Sequence, residues 1–324
     1  MAMPVDVFSV FQPISRFARL IGFAPYKIVP GHKPKHVEYE PVYNFTWTIV
    51  HCVLLTTFYA IYYKIFIGMK TRSVLIRTSW CFYIVSHLVH LTTNTFSEKI
   101  QKLRLVRLVN KLSRLEHEIR TGGVHVEYKK LKFLTPLYSL LLSIFITFAL
   151  LSRIIYWIKI DEVPFEEVVT AISYTYATCI RVVFVIQFIA SFRIFTSLLQ
   201  GVNVHLKKSF LHESSSRFKV SNMLRLFKVQ TLLKLNEFHR ELEMVTREYN
   251  TVVSARLLAM FLADFCIMTF QCFSSVNNIF NGKTLYIPML VFSLSVICLK
   301  IVKLIIIVAT VNSYTTEVNS AQTF

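Results

Sequence analysis

Arg181 and Asp264 each stand near the middle of a run of more than twenty mostly apolar residues. A charge there is costly in hydrocarbon, so each is a functional candidate by default. Opposite charges at matching depth can neutralise each other. The two are therefore expected either to pair across a helix contact or to hold a polar group of a ligand, and reversing either charge is expected to disrupt assembly or ligand response. Lys300 and Lys303 share one face of another apolar run. They are expected to snorkel to the inner membrane interface, the alternative being that they face water in a pore or vestibule. His87 and His90, three residues apart, could suggest a metal pair, but no third ligand stands at a matching depth. Polar residues at a helix–helix contact are the better reading, and no metal or other cofactor is expected. The sequence has no Walker A loop, no GxGxxG opening a helix, no GxSxG elbow and no HExxH. No catalytic residue and no enzymatic activity are expected.

Six apolar blocks must position these residues, at roughly 43–68, 74–96, 133–152, 168–192, 257–279 and 286–311. Each has the length an α-helix needs to cross about 30 Å of hydrocarbon. With 54% apolar residues and a mean hydropathy of +0.51, the chain reads as an all-α, polytopic transmembrane helical bundle of six spans. Its net charge of +18 is unevenly placed: segments 1–42, 97–132 and 193–256 hold 5, 10 and 11 of the 36 Lys and Arg, against 2, 2 and 1 in 69–73, 153–167 and 280–285. Basic residues near membrane ends mark the cytoplasmic side, so the N-terminus and both long loops are placed inside. Nucleic-acid binding becomes a remote reading. The expected layout is a cytoplasmic N-terminus over 1–42, a bundle over 43–311 with helical cytoplasmic loops at 97–132 and 193–256, and a cytoplasmic tail over 312–324.

The N-terminal apolar residues are broken by Pro4, Asp6, Gln12, Pro13 and Arg16, which argues against a signal peptide. All six cysteines lie in the blocks, so no disulfide framework is expected. The sequon Asn44-Phe45-Thr46 falls at the cytoplasmic start of the first span, where no glycan is added.

On this topology Ser173, Tyr174, Tyr176 and Thr178 occupy the outer half of span four, Thr269, Gln271 and Cys272 that of span five, and Tyr286 and Ser293 that of span six. An apolar bundle with a few placed hydroxyls and amides is the ordinary setting of a small-molecule site. The candidate ligand-binding set is Tyr174, Tyr176, Thr178, Arg181, Asp264, Gln271 and Ser293. The alternative for each is a packing contact between helices.

Residues 97–120 carry Ile100, Leu103, Val106, Val109, Leu112, Leu115 and Ile119 at helical steps, between a possible cap at Ser97-Glu98 and a stop at Gly122-Gly123. Residues 221–250 repeat the pattern with Met223, Phe227, Leu232, Leu235, Phe238, Leu242, Val245 and Tyr249. The expectation is that both helices extend spans and pack into a cytoplasmic bundle or an oligomer interface, rather than lying on lipid headgroups.

Three stretches carry a resemblance: Pro13, Leu20-Ile21-Gly22 and Pro25-Tyr26 within 11–28, the run 235–265 with Tyr249-Asn250 at its junction, and 308–324 after the sixth span. Together they resemble the insect gustatory receptors, a family of seven-span chemoreceptors. The resemblance implies a ligand-gated, non-selective cation channel assembled as a homo- or hetero-tetramer in the plasma membrane of sensory neurons. It further implies a small-molecule tastant entering from outside, inner helical extensions forming a central anchor, and membrane lipid around the bundle. The family's TYhhhhhQF signature lies in a seventh, pore-lining span, and Tyr314 with Gln322-Thr323-Phe324 do not meet its spacing. This form is accordingly expected to be a splice variant, a truncated gene model or a fragment that does not conduct alone.

Two other classes compete. A G-protein-coupled receptor requires an outside N-terminus, and the chain lacks a DRY-like triplet and NPxxY. A secondary transporter predicts ion-coupled uptake, but the halves show no internal repeat, and Pro136 and Pro288 fall only in first turns.

Overall fold

The structure, a computed structural model, describes residues 6–20, 22, 24, 26–29, 36–68, 74–128, 131, 165–215, 222–280 and 287–322, with six scattered positions between 137 and 151. The third apolar block therefore lies almost wholly outside the described residues, as do Pro136 and Tyr286. The described elements are α1 (Val7–Leu20), β1 (Tyr26–Val29), β2 (His36–Tyr39), α2 (Pro41–Gly68), α3 (Val74–Thr121), α4 (Phe165–Ser215), α5 (Asn222–Phe280) and α6 (Ile287–Gln322). Among the described residues, four helical stretches are long and apolar enough to cross a membrane: Pro41–Lys64, Thr175–Lys208, Val229–Phe273 and Ser293–Ser320.

Several helices run well past the apolar blocks. α3 is 48 residues, α4 is 51 and α5 is 59, against about 20 for a single crossing. The expected cap at Ser97-Glu98 does not occur, because the helix continues through it. The stop at Gly122-Gly123 does. Gly123 takes φ +84°, its N–H donates to Arg120 O at 3.0 Å, and Val124 N–H donates to Ile119 O at 3.2 Å. These are the two bonds of a Schellman motif, and glycine enters that left-handed position without strain. α6 likewise continues past 311 to Gln322.

α4 is the central helix, with 72% of its most apolar window buried, and it contacts α1, α2, α3, α5 and α6. α2 and α6 bury only 22% and 17% of theirs. Leu294, Ile301, Val302, Ile305 and Val308 of α6 are exposed, as on a helix facing lipid or another subunit. Beyond the blocks, the extensions of α3 and α5 pack on each other in the same core cluster: Leu112, Leu115 and Ile119 with Leu235, Phe238 and Leu242. Lys111 and Glu248 pair beside them at 3.8 Å. This packing displaces the headgroup alternative for that part of the stripe. Ile100 and Leu103, expected on the same stripe, are exposed instead.

The N-terminal segment folds against the α3 extension, which the sequence did not indicate. Asp6 caps α1, its Oδ1 accepting from Ser9 N–H at 2.8 Å. Val7, Phe8, Val10, Ile14 and Ala18 turn into the bundle. The Val7 N–H, unsatisfied within its own helix, donates to Glu116 Oε2 at 3.1 Å. β1 and β2 pair antiparallel with Lys27 opposite Glu38 and Ile28 opposite Val37. Asn110 of α3 fastens β2 from both sides, accepting from Val37 N–H at 2.8 Å and donating to Val37 O at 3.0 Å. Asn44 of the sequon is buried at the start of α2, accepting from Lys99 Nζ at 3.2 Å.

Two outcomes follow for this segment. Gly22 takes φ +80°, and a Cβ there would lie 2.5 Å from the Trp47 ring. Gly22→Ala is expected to destabilise by about 2 kcal/mol from the left-handed strain and the displaced ring. A lower thermal midpoint of the purified protein is the readout.

Burial raises the Glu116 carboxyl above its ordinary 4.5, against the opposing pull of the Val7 N–H and Arg120. With the folded-state value raised, this group's stabilisation is full below 4.5 and is lost as pH rises through the folded value. The midpoint of wild type relative to Glu116→Gln is expected to fall over that window. A flat difference would contradict the assignment.

Candidate functional site

Asp264, the acidic residue within the six apolar blocks, gathers three cations. Its Oδ1 lies 3.8 Å from Arg181 Nη1 and 2.5 Å from Lys300 Nζ, while Oδ2 meets Lys303 Nζ. The three helices α4, α5 and α6 each contribute, and all four side chains are at most 16% exposed. The expected Arg181–Asp264 pair is therefore present, but as one edge of a larger cluster. Both lysines turn into the bundle, their side chains 11% and 16% exposed. Lys300 and Lys303, three apart on α6, present their amines to one carboxylate, a stronger demand than reaching an interface.

The polar chain continues across the bundle. Arg181 Nη2 donates to His87 Nδ1 at 3.3 Å. A guanidinium cannot accept, so the network assigns the ring proton to Nε2, which points at Ser173 Oγ 3.4 Å away. Ser173 in turn bonds Tyr62 OH at 3.1 Å. Tyr62 and His87 also meet edge to face, ring centroids 6.0 Å apart. One buried chain thus joins α2, α3, α4, α5 and α6 through Tyr62, Ser173, His87, Arg181 and Asp264, with the two lysines at its end. His90, also fully buried, receives Asn94 Nδ2 on its backbone oxygen at 2.8 Å. Among the described residues, no three His, Cys, Asp or Glu side chains come together in a way that could hold a metal.

The other candidates fall in separate places. Gln271 and Ser293 meet each other, Ser293 Oγ donating to Gln271 Oε1 at 2.9 Å between α5 and α6. Tyr176 faces α2, its ring 6.1 Å from that of His51 and 6.4 Å from that of Phe58, and Trp47 continues the stack. Thr178 is half-buried on α4, and the side chain of Tyr174 lies outside the described residues. Thr269 and Cys272 are exposed. Tyr62 and Ser173 complete the buried chain and were not in the candidate set. A tyrosine among apolar residues gives no sequence signal of its inward turn, and Ser173 stands one residue before the first candidate.

A cavity of about 60 Å³ lies elsewhere, under α1 and the hairpin, lined by Phe8, Tyr26, Leu108, Phe195 and Arg256 among others. That is room for a few waters, well short of a ligand pocket. None of the seven candidate residues lines it.

The long apolar helices and the mutual packing of their extensions describe a helical membrane protein. No curated protein matches the chain. The sequence profile described as 7tm Chemosensory receptor matches residues 11–324. That match covers nearly the whole chain and agrees with its resemblance to the insect gustatory receptors: the protein belongs to the 7tm chemosensory receptor family.

Proposed function

We propose that this chemosensory receptor is a gustatory-type subunit of a ligand-gated, non-selective cation channel. In this reading the N-terminus and the extensions of α3 and α5 lie in the cytoplasm. The receptor spans the plasma membrane of a sensory neuron six times in this chain and assembles as a homo- or hetero-tetramer. Its stimulus is a small-molecule tastant entering from the outer side.

The observation that carries the reading is the buried chain from Tyr62 to Asp264. With Lys300 and Lys303 at its end it ties five helices together inside the apolar region, so a ligand that breaks or adds one polar contact changes how all five fit. Arg181 and Asp264 are the members given ligand contact. Tyr176 and the Gln271–Ser293 pair would line the approach, together with Tyr174 and Thr178. Exposed apolar faces on α2 and α6 leave room for lipid and for neighbouring subunits.

The test is whole-cell recording during application of sugars, bitter compounds and other small tastants. It is made with the chain expressed alone and with a seventh helix appended. The expected result is an evoked current from the form with the seventh helix, carried by sodium and potassium alike and insensitive to G-protein blockade, and none from the chain alone. A response abolished by that blockade would favour a G-protein-coupled receptor, and ion-coupled ligand uptake without such a current would favour a transporter.

A further inference from the structure

Phe96, Ile100 and Leu103 form an exposed apolar row on α3 at three- and four-residue steps. Arg107 continues that row and Arg104 stands beside it, both exposed. α5 runs antiparallel to α3, for Lys111 pairs with Glu248 at 3.8 Å and a Cβ on Gly122 would meet Phe238 at 3.4 Å. Seven residues from Lys111 along α3 stands Arg104, and seven from Glu248 along α5 stands Ala255. Beyond that level the exposed face of α5 turns apolar at Leu258, Leu262 and Phe265, and before it come the exposed Thr251 and Ser254. α2 agrees: Lys99 Nζ donates to Asn44 Oδ1 at 3.2 Å, level with the exposed Val42 and Phe45. The apolar surface thus ends at one level on three helices, and Arg104 and Arg107 stand just past it. From Lys99 to Leu115, α3 carries six Lys or Arg and no Asp or Glu, and α5 has no acidic residue from Tyr249 to Ala263. Four of the six are engaged within the chain. Lys99 meets Asn44, Lys102 lies 4.9 Å over the Tyr39 ring, Lys111 pairs with Glu248, and Arg114 with Glu118 at 3.7 Å. Among the described residues no carboxylate pairs with Arg104 or Arg107. Arg107 Nε donates to Leu103 O at 3.3 Å, which leaves the four N–H groups of its fork.

We propose that Arg104 and Arg107 hold the headgroup of a phosphoinositide, with its acyl chains along Phe96, Ile100 and Leu103. An apolar row followed at once by unpaired guanidinium groups matches the order in which a lipid presents its chains and its phosphates. The planar fork of arginine fits phosphate oxygens two at a time. Two such forks one turn apart meet more charge than a phosphatidylserine headgroup offers, so a phosphoinositide is the preferred occupant. The apolar row is what favours a lipid over free phosphate or an acidic protein segment. The cytoplasmic placement of the extensions proposed above fixes only which leaflet supplies this lipid. Binding by the purified chain depends neither on that placement nor on a current, so either reading can fail without the other.

The experiment is fluorescence polarisation of a labelled, short-chain phosphatidylinositol bisphosphate with the purified full chain in a neutral detergent. Saturable binding is expected, displaced by unlabelled phosphatidylinositol bisphosphate and not by phosphatidylcholine. Inositol trisphosphate, a headgroup without acyl chains, is expected to compete at least about tenfold more weakly, because it forgoes the apolar row. Arg104→Gln with Arg107→Gln is expected to weaken binding at least about tenfold, the loss of one or more charge-assisted hydrogen bonds. Both positions are exposed, so the double variant is expected to keep the thermal midpoint of wild type, and Arg107→Gln alone carries the comparison if it does not. Arg240→Gln removes an exposed charge eight residues before Glu248, away from the apolar row, and is expected to leave binding unchanged. Absence of saturable binding would overturn the proposal, as would competition by inositol trisphosphate as strong as by the lipid. Binding that the arginine variants leave intact, or that Arg240→Gln weakens equally, would overturn it too.

Discussion

Asp264→Lys is expected to remove the receptor from the cell surface, while Arg181→Glu is expected to leave a substantial part of it there. The asymmetry comes from the two lysines. In the wild-type cluster three cations face one carboxylate. Asp264→Lys leaves four cations and no carboxylate, all within the bundle. Arg181→Glu gives two cations and two carboxylates, a balanced set, at the expense of the hydrogen bond from Arg181 to His87. Removing one partner of a buried ion pair costs about 3–5 kcal/mol, and here three groups lose the same partner. Total stabilities of about 5–15 kcal/mol do not absorb that and leave a well-folded population. Surface biotinylation is the measurement, with Asp264→Asn as the milder test and added Lys300→Gln and Lys303→Gln expected to restore part of its loss. Equal surface levels for Asp264→Lys and Arg181→Glu would show that the lysines do not share the carboxylate.

Leu242→Ala is expected to be the most damaging conservative change outside the apolar blocks. Leu242 is fully buried where α5 packs on α3, among Leu115, Ile119 and Phe238. Truncating a buried leucine costs about 2–5 kcal/mol, the lost transfer energy plus the cavity left behind. Leu233, nine residues earlier on the same helix, is 64% exposed. Leu233→Ala is expected to stay within about 0.5 kcal/mol of wild type. Thermal midpoints of the two variants separate the readings: similar values would mean that the extensions do not pack as described.

The sequence made some of this legible and not the rest, for definite reasons. Composition and block length identify the helices, because an apolar run of about 20 residues has few other uses. The stop at Gly122-Gly123 was legible because its hydrogen bonds need a left-handed residue. The cap at Ser97-Glu98 was misleading, since the same residues also sit within a continuous helix when packing on both sides favours it. Lys300 and Lys303 were assigned to the interface because hydropathy reports depth and not rotation. Which way α6 turns is decided by Asp264 on a different helix. The hairpin was missed for a related reason: four-residue strands have weak signals, and β2 is fixed by Asn110, 73 residues away. Of the seven candidate residues, Arg181 and Asp264 met as expected because intramembrane charges have few stable alternatives. The hydroxyls had many: Ser293 met Gln271, while Tyr176 and Thr178 lie apart from both pairs.

The orientation of the chain tests the account most directly, because a cation channel of this kind and a G-protein-coupled receptor place the N-terminus on opposite sides. Epitope tags at the N-terminus and within 216–221 are to be compared with tags within 69–73 and 281–286 by antibody labelling of intact and permeabilised cells. The account predicts that the first two are labelled only after permeabilisation and the last two in intact cells. Labelling of the N-terminal tag on intact cells would contradict it.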